Sequence, residues 1–479
     1  MAFILSVLFS SGLGLVFSLG ISTAFWTAPV QSQSPSNYCR NDRSAIVEKA
    51  QLLQAALKGD NGAQDKYQRM IKADATNLSA CRQRNWPKTQ AVWLRVYPCD
   101  LAAGQLEQIL DNIVNFGYNR VYLNTFYDGR VLLPKNDNPT VWPSVVGDRA
   151  ASADLLAETI QKAHQRGLTV HAWLFTMNFG PSYAGRVDRQ LELARNGYGE
   201  SNIQDPAGLP GEAGVSHVFV DPYSLQARAD LRNLVAAVAK RRPDGIAFDY
   251  VRYPHRTDGK IADVRNMMIY GSSSVKTLLS RANTKQGQDI IYQYLQDGRI
   301  SGQVKQVSSL WDLWRFPPNS SSSAGDVNGQ LWQLAIAHAR HGVVEFLNDV
   351  IQPAKQMNIS TSAVFFPKAN LSYGNAVDAR LQPWDRFTSV SEWVPMSYST
   401  CGNASCINNE IAMVTRRSGG RKVCPVIAGY WSQDQGKRIS LEKQMAGIRR
   451  QHPDIDCLSH FAYSWFDMAG DRQRRACKL

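Results

Sequence analysis

From residue 91 onward the chain alternates short apolar runs with amphipathic stretches, and this alternation limits the possible folds more than any other feature of the sequence. Eight runs read as strands: Ala91–Pro98, Arg120–Tyr127, Thr169–Asn178, Gly245–Pro254, Ile359–Pro367, Glu392–Ser399, Val423–Trp431 and Leu458–Asp467. Apolar runs bounded by Gly or Pro suit strands buried on both faces of a parallel sheet. Helical spacing falls between several of them, at Leu106–Phe116, Ala153–Arg166, Ser224–Arg241, Leu331–Val350 and Leu441–Gln451. Gly117 and Gly167 stand where the helices before strands two and three should stop. Eight strands alternating with helices is the count of an α/β protein of the (β/α)8 TIM-barrel class.

The remainder of the 479 residues divides around that unit. Residues 1–30 carry no charged side chain, and the almost wholly apolar run Phe3 to Phe25 is long enough for a bilayer, which needs about 20 residues. It reads as an export signal or as an uncleaved membrane anchor, and either delivers the rest out of the cytoplasm. Residues 31–88 hold a polar linker and a small helical extension, a spacer or a brace. Residues 89–479 form the barrel, with an insertion at about 255–330 after strand four that contains the cluster Trp311 to Arg315 and the serine run Ser320–Ser323. Connections of that length are uncommon unless functional or disordered, and this one leaves the strand end that faces the mouth.

The eight cysteines all follow the apolar leader and form no CxxC or zinc spacing, so disulfides made in an oxidising compartment are expected, and no metal. Eight cysteines allow 105 pairings. A short loop suggests Cys401–Cys406, adjacent strand starts Cys424–Cys457 and the two ends of the helical segment Cys39–Cys81, with Cys99–Cys477 the residual pair. The net charge of +13 suits acidic polysaccharide, anionic lipid or nucleic acid in principle. The basic residues are scattered and form no nucleic-acid module, so nucleic acid is not an expected partner.

In a barrel of this kind chemistry gathers at the carboxyl ends of the strands. Those ends supply Asn124 and Asp128 from strand two, His171 and Trp173 from strand three, Asp249 and Arg252 from strand four, and Tyr398, Trp431 and Trp465 from strands six to eight. Aromatic faces stack on sugar rings and carboxylates bond hydroxyls, so the expected ligand is a polysaccharide or oligosaccharide. Glycoside hydrolysis needs two carboxyl groups. Asp249, followed three residues later by the cation Arg252, is the first. Asp221 in the loop before the strand-four helix, Asp467 at the end of strand eight, and Asp128 are the candidates for the second. Asp221 has an equal reading as a helix-start residue, and His171 one as a satisfied core histidine. Glu392 opens strand six and so belongs at the opposite end of the barrel.

Three stretches extend the reading. Gly167-Leu-Thr-Val-His171-Ala-Trp173-Leu, Asp244-Gly-Ile-Ala-Phe-Asp249-Tyr-Val-Arg252-Tyr-Pro254 and Trp393-Val-Pro395-Met396-Ser-Tyr398 resemble strands three, four and six of the glycoside-hydrolase-family-ten-like proteins, a group of exported TIM barrels. The resemblance implies a cofactor-free glycosidase acting on envelope or extracellular polysaccharide, with Asp249 its catalytic carboxylate. The chain departs from that pattern at Ser391, where members often carry an acid, and in the strand-two exit. The alternative is a catalytically silent barrel that binds glycan at the cell envelope, in membrane contact through residues 1–30.

Overall fold

In the computed structural model the described residues are 38–208, 217–301 and 327–477. The leader, the Trp311 cluster and the Ser320–Ser323 run lie outside them. Eight parallel strands appear at the expected places: β1 Thr89–Leu94, β2 Arg120–Tyr127, β3 Thr169–Phe175, β4 Gly245–Asp249, β5 Ser360–Phe365, β6 Glu392–Pro395, β7 in two halves (Lys422–Val423 and Val426–Ala428), and β8 Cys457–Phe461. Each pairs in parallel with its sequence neighbour, and β1 pairs with β8.

Strand β7 closes the ring. Its first half bonds β6 and its second half bonds β8, with only Cys424 and Pro425 between them. Proline cannot donate to a ladder, so one strand serves two neighbours by changing direction at the residue that has no N–H. The Cys424 N–H still reaches the Trp393 carbonyl, and the Ser397 N–H reaches Val426.

Helices cover the outside: α1 Arg43–Leu57, α2 Asn61–Arg84, α3 Gln105–Asn115, α4 Leu155–His164, α5 Leu225–Ala239, α6 Ser272–Leu279, α7 Lys285–Asp297, α8 Val327–Val350, α9 Ser405–Thr415, α10 Leu441–Gln451 and α11 Met468–Ala476. The insertion after β4 contributes α6 and α7 and a strand, Lys260–Ile261, which joins a small antiparallel sheet with Ala376–Asp378 and Ser372–Tyr373. No α-helix separates β5 from β6; that sheet and 3-10 turns stand in its place. Among the described residues no helix is long and apolar enough to cross a membrane.

The helical extension is built into the barrel wall, and the described residues form one compact unit. Arg82 of α2 is buried, and its guanidinium donates to the carbonyls of Tyr38, Pro87 and Gly117 and to Gln90 Oε1. Tyr67 and Arg166 meet across Asp111, which receives the tyrosine hydroxyl at 2.7 Å and Arg166 Nε at 2.7 Å. Gly117 has φ of 81°, and a Cβ there would lie 2.0 Å from the Tyr38 carbonyl, so the helix stop is also where the extension docks.

The four expected disulfides form: Cys39–Cys81, Cys99–Cys477, Cys401–Cys406 and Cys424–Cys457. The first holds the ends of the helical extension together and the last joins β7 to β8. Cys99–Cys477 ties the exit of β1 to the end of α11.

The barrel interior is filled in layers. At the amino-terminal end Glu392 accepts from Arg120 Nη1 at 3.0 Å and from the Tyr122 hydroxyl at 3.0 Å; Tyr122 and Glu392 are buried and Arg120 is partly so. Burial opposes the Arg120 charge, but Tyr122 and Glu392 more than reverse it, and the guanidinium is held charged. His171 lies at the Tyr122 level of the register and meets that ring edge-on at 5.4 Å. Gly245 faces it across the β3–β4 ladder, and a Cβ there would be 2.6 Å from His171 Nδ1. The glycine of the Asp244-Gly245 pair therefore makes room for the histidine ring.

Candidate active site

At the carboxyl end of the barrel lies a cleft of about 250 Å³, lined by Arg95, Trp173, Phe175, His217, Phe219, Asp249, Tyr250, Arg252, Pro254, His255, Phe366, Met396, Tyr398 and Phe461. Six strands reach it at or beyond their ends: β1 through Arg95, β3 through Trp173 and Phe175, β4 through Asp249, β5 through Phe366, β6 through Met396 and Tyr398, and β8 through Phe461.

Asp249 is the last residue of β4, opposite Phe175, and is 6% exposed. Its Oδ2 accepts Trp173 Nε1–H at 3.0 Å and its Oδ1 accepts the Tyr250 backbone N–H at 2.6 Å. Both oxygens accept, the role of a carboxylate anion. The chain then turns sharply, since Tyr250 has φ of 53°, a left-handed backbone that a bulky residue rarely adopts. The Asp249 and Tyr250 carbonyls are bonded by Thr176 N–H and Met177 N–H, so the turn is anchored to the exit of β3. It brings the Tyr250 ring under the Arg252 guanidinium, at 4.6 Å, with Phe219 at 5.6 Å and Phe366 at 5.9 Å. Arg252 donates from Nη1 to the Tyr253 carbonyl. Burial pushes its pKa down, while Tyr250 and Asp249 favour the charge.

Trp173 has its own support. It meets Trp93 edge-on at 4.8 Å, and Trp93 lies flat against Tyr122 at 4.3 Å. Aromatic packing thus fixes the indole whose N–H holds Asp249. Arg95 donates Nε to Asn124 Oδ1 at 2.9 Å and lies 4.7 Å over the Tyr127 ring. Asn124 is fully buried and acts on the cleft through Arg95.

Asp249, Arg252, Trp173 and Tyr398 of the residues expected from sequence thus line the cleft, with Asn124 behind it. The others lie elsewhere. His171 is four ladder steps deeper than Phe175 and Asp249, and burial, then the Arg120 charge, drives it well below its ordinary pKa, so it is neutral. Asp128 occupies an Asp-Gly hairpin turn between β2 and Arg130–Val131, with φ of 51° and Gly129 at 70°. Asp221 is fully buried and accepts Ser274 N–H at 2.8 Å, Ser274 Oγ–H at 2.6 Å and Tyr223 N–H at 2.9 Å. It joins the loop before α5 to α6 of the insertion, and Ser224 rather than Asp221 caps α5. Asp467 caps α11 through Gly470 N–H at 2.9 Å. Trp431 bonds the Tyr118 hydroxyl and lies under Arg40 at 4.0 Å, and Trp465 stacks on Tyr430 at 4.9 Å. None of these six side chains lines the cleft, and Asp249 is the only carboxylate among the described residues that do.

Sequence reasoning passed over Arg95, His217 and His255. Arg95 was legible as an inward position, two residues beyond Trp93 in a period-2 strand. The two histidines sit on irregular chain with no period to reveal them. Among the described residues no group of three or more His, Cys, Asp or Glu side chains is placed to hold a metal.

The buried histidines make stability depend on acid. His217 is lowered from 6.5 to about 4, by burial and then by Arg252 and Arg95, and His460 to about 3, by burial and then by Arg82 and Arg40. Between those values and 6.5 the unfolded chain binds protons that the folded chain does not, so stability rises with pH there. Thermal unfolding at stepwise lower pH is expected to show Tm constant above about 7 and falling from 6.5 toward 4. His217→Gln should reduce that slope while leaving Tm near neutrality close to wild type.

Comparison with known proteins agrees with the first two motifs, which fall inside the matched segment. Residues 82–315 match the family described as glycosyl hydrolase-like 10. The glycosyl hydrolase DigH of Escherichia coli strain K12 is 24% identical over 307 residues, covering 60% of this chain and 66% of DigH. DigH of E. coli strain CFT073 is 23% identical over 300 residues with the same coverage. The chain thus spans just under two thirds of these relatives. The glycoside hydrolase domain of PgaB (BpsB) from Bordetella bronchiseptica shares the fold with a TM-score of 0.50, 16% identity, and coverage of 82% of this chain and 99% of that one.

Proposed function

From a chain whose residues 82–315 match the glycosyl hydrolase-like 10 family, we propose an exported glycoside hydrolase that cleaves envelope or extracellular polysaccharide, with Asp249 as the charged group at the reacting sugar. The supporting observation is the placement of Asp249: a carboxyl group accepting two hydrogen bonds in an aromatic cleft, at the strand end where barrel enzymes keep their chemistry. An oxocarbenium-like transition state places positive charge on the sugar ring, and a fixed carboxylate below it favours that charge in a site with little water. Trp173 is the positioning residue, holding one carboxylate oxygen. Tyr398, Phe366 and Phe461 offer faces for the ring to stack on. Four disulfides agree with an oxidising compartment.

The absence of a second carboxylate among the described lining residues favours a second reading, a barrel that binds glycan without cleaving it. Incubating the full chain with a panel of purified polysaccharides separates the two. New reducing ends support the hydrolase, and retention on glycan without new ends supports the binder. Trp173→Phe keeps the ring and removes the N–H. We expect kcat to fall about 10- to 100-fold with KM little changed, since the loss is in orientation of the carboxylate. Equal kcat for Trp173→Phe and wild type would remove Trp173 from the mechanism.

A further inference from the structure

Each strand of the barrel begins at the end opposite the cleft, so the connection before each strand lies on that end. Three neighbouring connections there are cationic. Arg84 and Lys88 precede β1, Arg416 and Arg417 precede β7, and Arg449 and Arg450 precede β8. The three are contiguous. Cys424–Cys457 joins the starts of β7 and β8, and Trp86 Nε1 donates to the Ile455 carbonyl at 2.6 Å, which joins the connections before β8 and β1. All six cations are exposed, and the acids in these connections are Asp454 and Asp456. None of the six forms an ion pair among the described residues. A cation near a helix C-terminus complements the helix dipole. The connections before β3 and β4, on the same end, meet that need with matched charges. Lys162 pairs with Glu107, His164 bonds Asp244, Arg166 pairs with Asp111, and Arg241 pairs with Asp137 and Asp154, which leaves Lys240 and Arg242 over.

The chain also enters the barrel at this end. Arg82, which bonds the Pro87 carbonyl ahead of β1, bonds the Tyr38 carbonyl as well, and Cys39 is joined to Cys81, three residues before Arg84. The polypeptide preceding Tyr38 carries the apolar run Phe3 to Phe25, of bilayer length. Trp86 is half-buried among the cations, with the Arg449 guanidinium 5.8 Å over its ring, and tryptophan beside basic side chains suits the boundary between lipid and water. We propose that this cationic arc docks on a bilayer that carries anionic phospholipid. The arc supplies attraction and orientation and the apolar run supplies depth, the two signals that together hold a protein at a membrane. An acidic polymer would meet the cations as well, but the entry of a bilayer-length run at the same end selects the lipid surface. Docked this way, the barrel turns its cleft away from the bilayer.

The full chain is to be floated with vesicles of phosphatidylcholine alone and of phosphatidylcholine with phosphatidylglycerol, and the two partition coefficients compared. Residues 1–30 carry no charged side chain, so their contribution is common to both vesicles and cancels in the ratio. The ratio is expected to favour the anionic vesicles by about 10³-fold, at roughly fivefold for each cation in reach, and to shrink as added salt screens the surface. Lys88→Gln with Arg416→Gln and Arg450→Gln removes one cation from each connection and should cut the ratio about 100-fold with Tm unchanged. Lys276→Gln with Arg472→Gln and Arg475→Gln removes the same charge from α6 and α11, which follow strand exits, and should change it less than about 2-fold. Equal losses in the two triple variants overturn the proposal, as does a wild type that binds both vesicles alike. Retention on polygalacturonate without a preference for anionic vesicles overturns it too, and gives the arc to an acidic polymer. Flotation reads no hydrolysis, so its outcome stands apart from the reading of the cleft.

Discussion

Asp249→Asn is expected to lower hydrolysis of any polysaccharide this chain cleaves by about 10³-fold or more while leaving the protein folded. The amide has the size of the carboxylate and still accepts one hydrogen bond, so Trp173 or the Tyr250 N–H retains a partner. What is lost is the charge, and the second oxygen is replaced by an NH2 that faces a donor. Transition-state charge stabilisation falls with it, whereas stacking on the aromatic walls does not. The expected pattern is therefore a collapse of kcat with substrate affinity kept, measured by reducing-end release and by calorimetry on the same preparation. Activity within tenfold of wild type would exclude Asp249 from the reaction.

The largest expected effect on stability comes from the other end of the barrel. Glu392 is the anion between Arg120 and Tyr122. Glu392→Leu leaves the partly buried Arg120 charge without its partner, for a loss of up to about 3 kcal/mol. Urea unfolding should show the midpoint moved down with the slope unchanged. Removing the charge as well, in Arg120→Met with Glu392→Leu, is expected to recover most of the loss, because an apolar pair of similar volume carries no desolvation cost. A double variant as unstable as the single one would mean that the network holds the barrel floor through its shape and not its charge.

The barrel was legible because each strand is a buried apolar run, and burial on both faces leaves a pattern no local alternative shares. The runs overshoot the ladders, however. The stretch read as Gly245–Pro254 is hydrogen-bonded only to Asp249, and Tyr250 then turns into a left-handed conformation that its side chain gives no reason to expect. Of the cysteine pairs, Cys39–Cys81 and Cys424–Cys457 follow from element ends, whereas Cys99–Cys477 was reached only as the remainder. The site was legible in part. Asp249, Trp173 and Arg252 sit on or next to strands, where register fixes direction. Trp431 is equally close to a strand end, yet its face is taken by Arg40, almost four hundred residues away in the chain. Asp221 lies in the expected loop, yet it is turned away from the cleft toward Ser274, which belongs to the insertion. Partnerships of that kind are set by tertiary packing, which periodicity does not report.

The Cys99–Cys477 bond gives the polypeptide a covalent topology unlike its linear order. Counted along bonds, the exit of the first strand and the end of the last helix are next-door neighbours, and the residues between them form a closed loop. A single backbone cut between Cys99 and Cys401 yields two pieces that stay one molecule, with Cys39, Cys81 and Cys99 on one side and the other five cysteines on the other. The whole β4–β5 insertion lies inside that loop, so an extracellular protease that nicks it converts a chain into a two-chain protein, and only a reductant separates the halves.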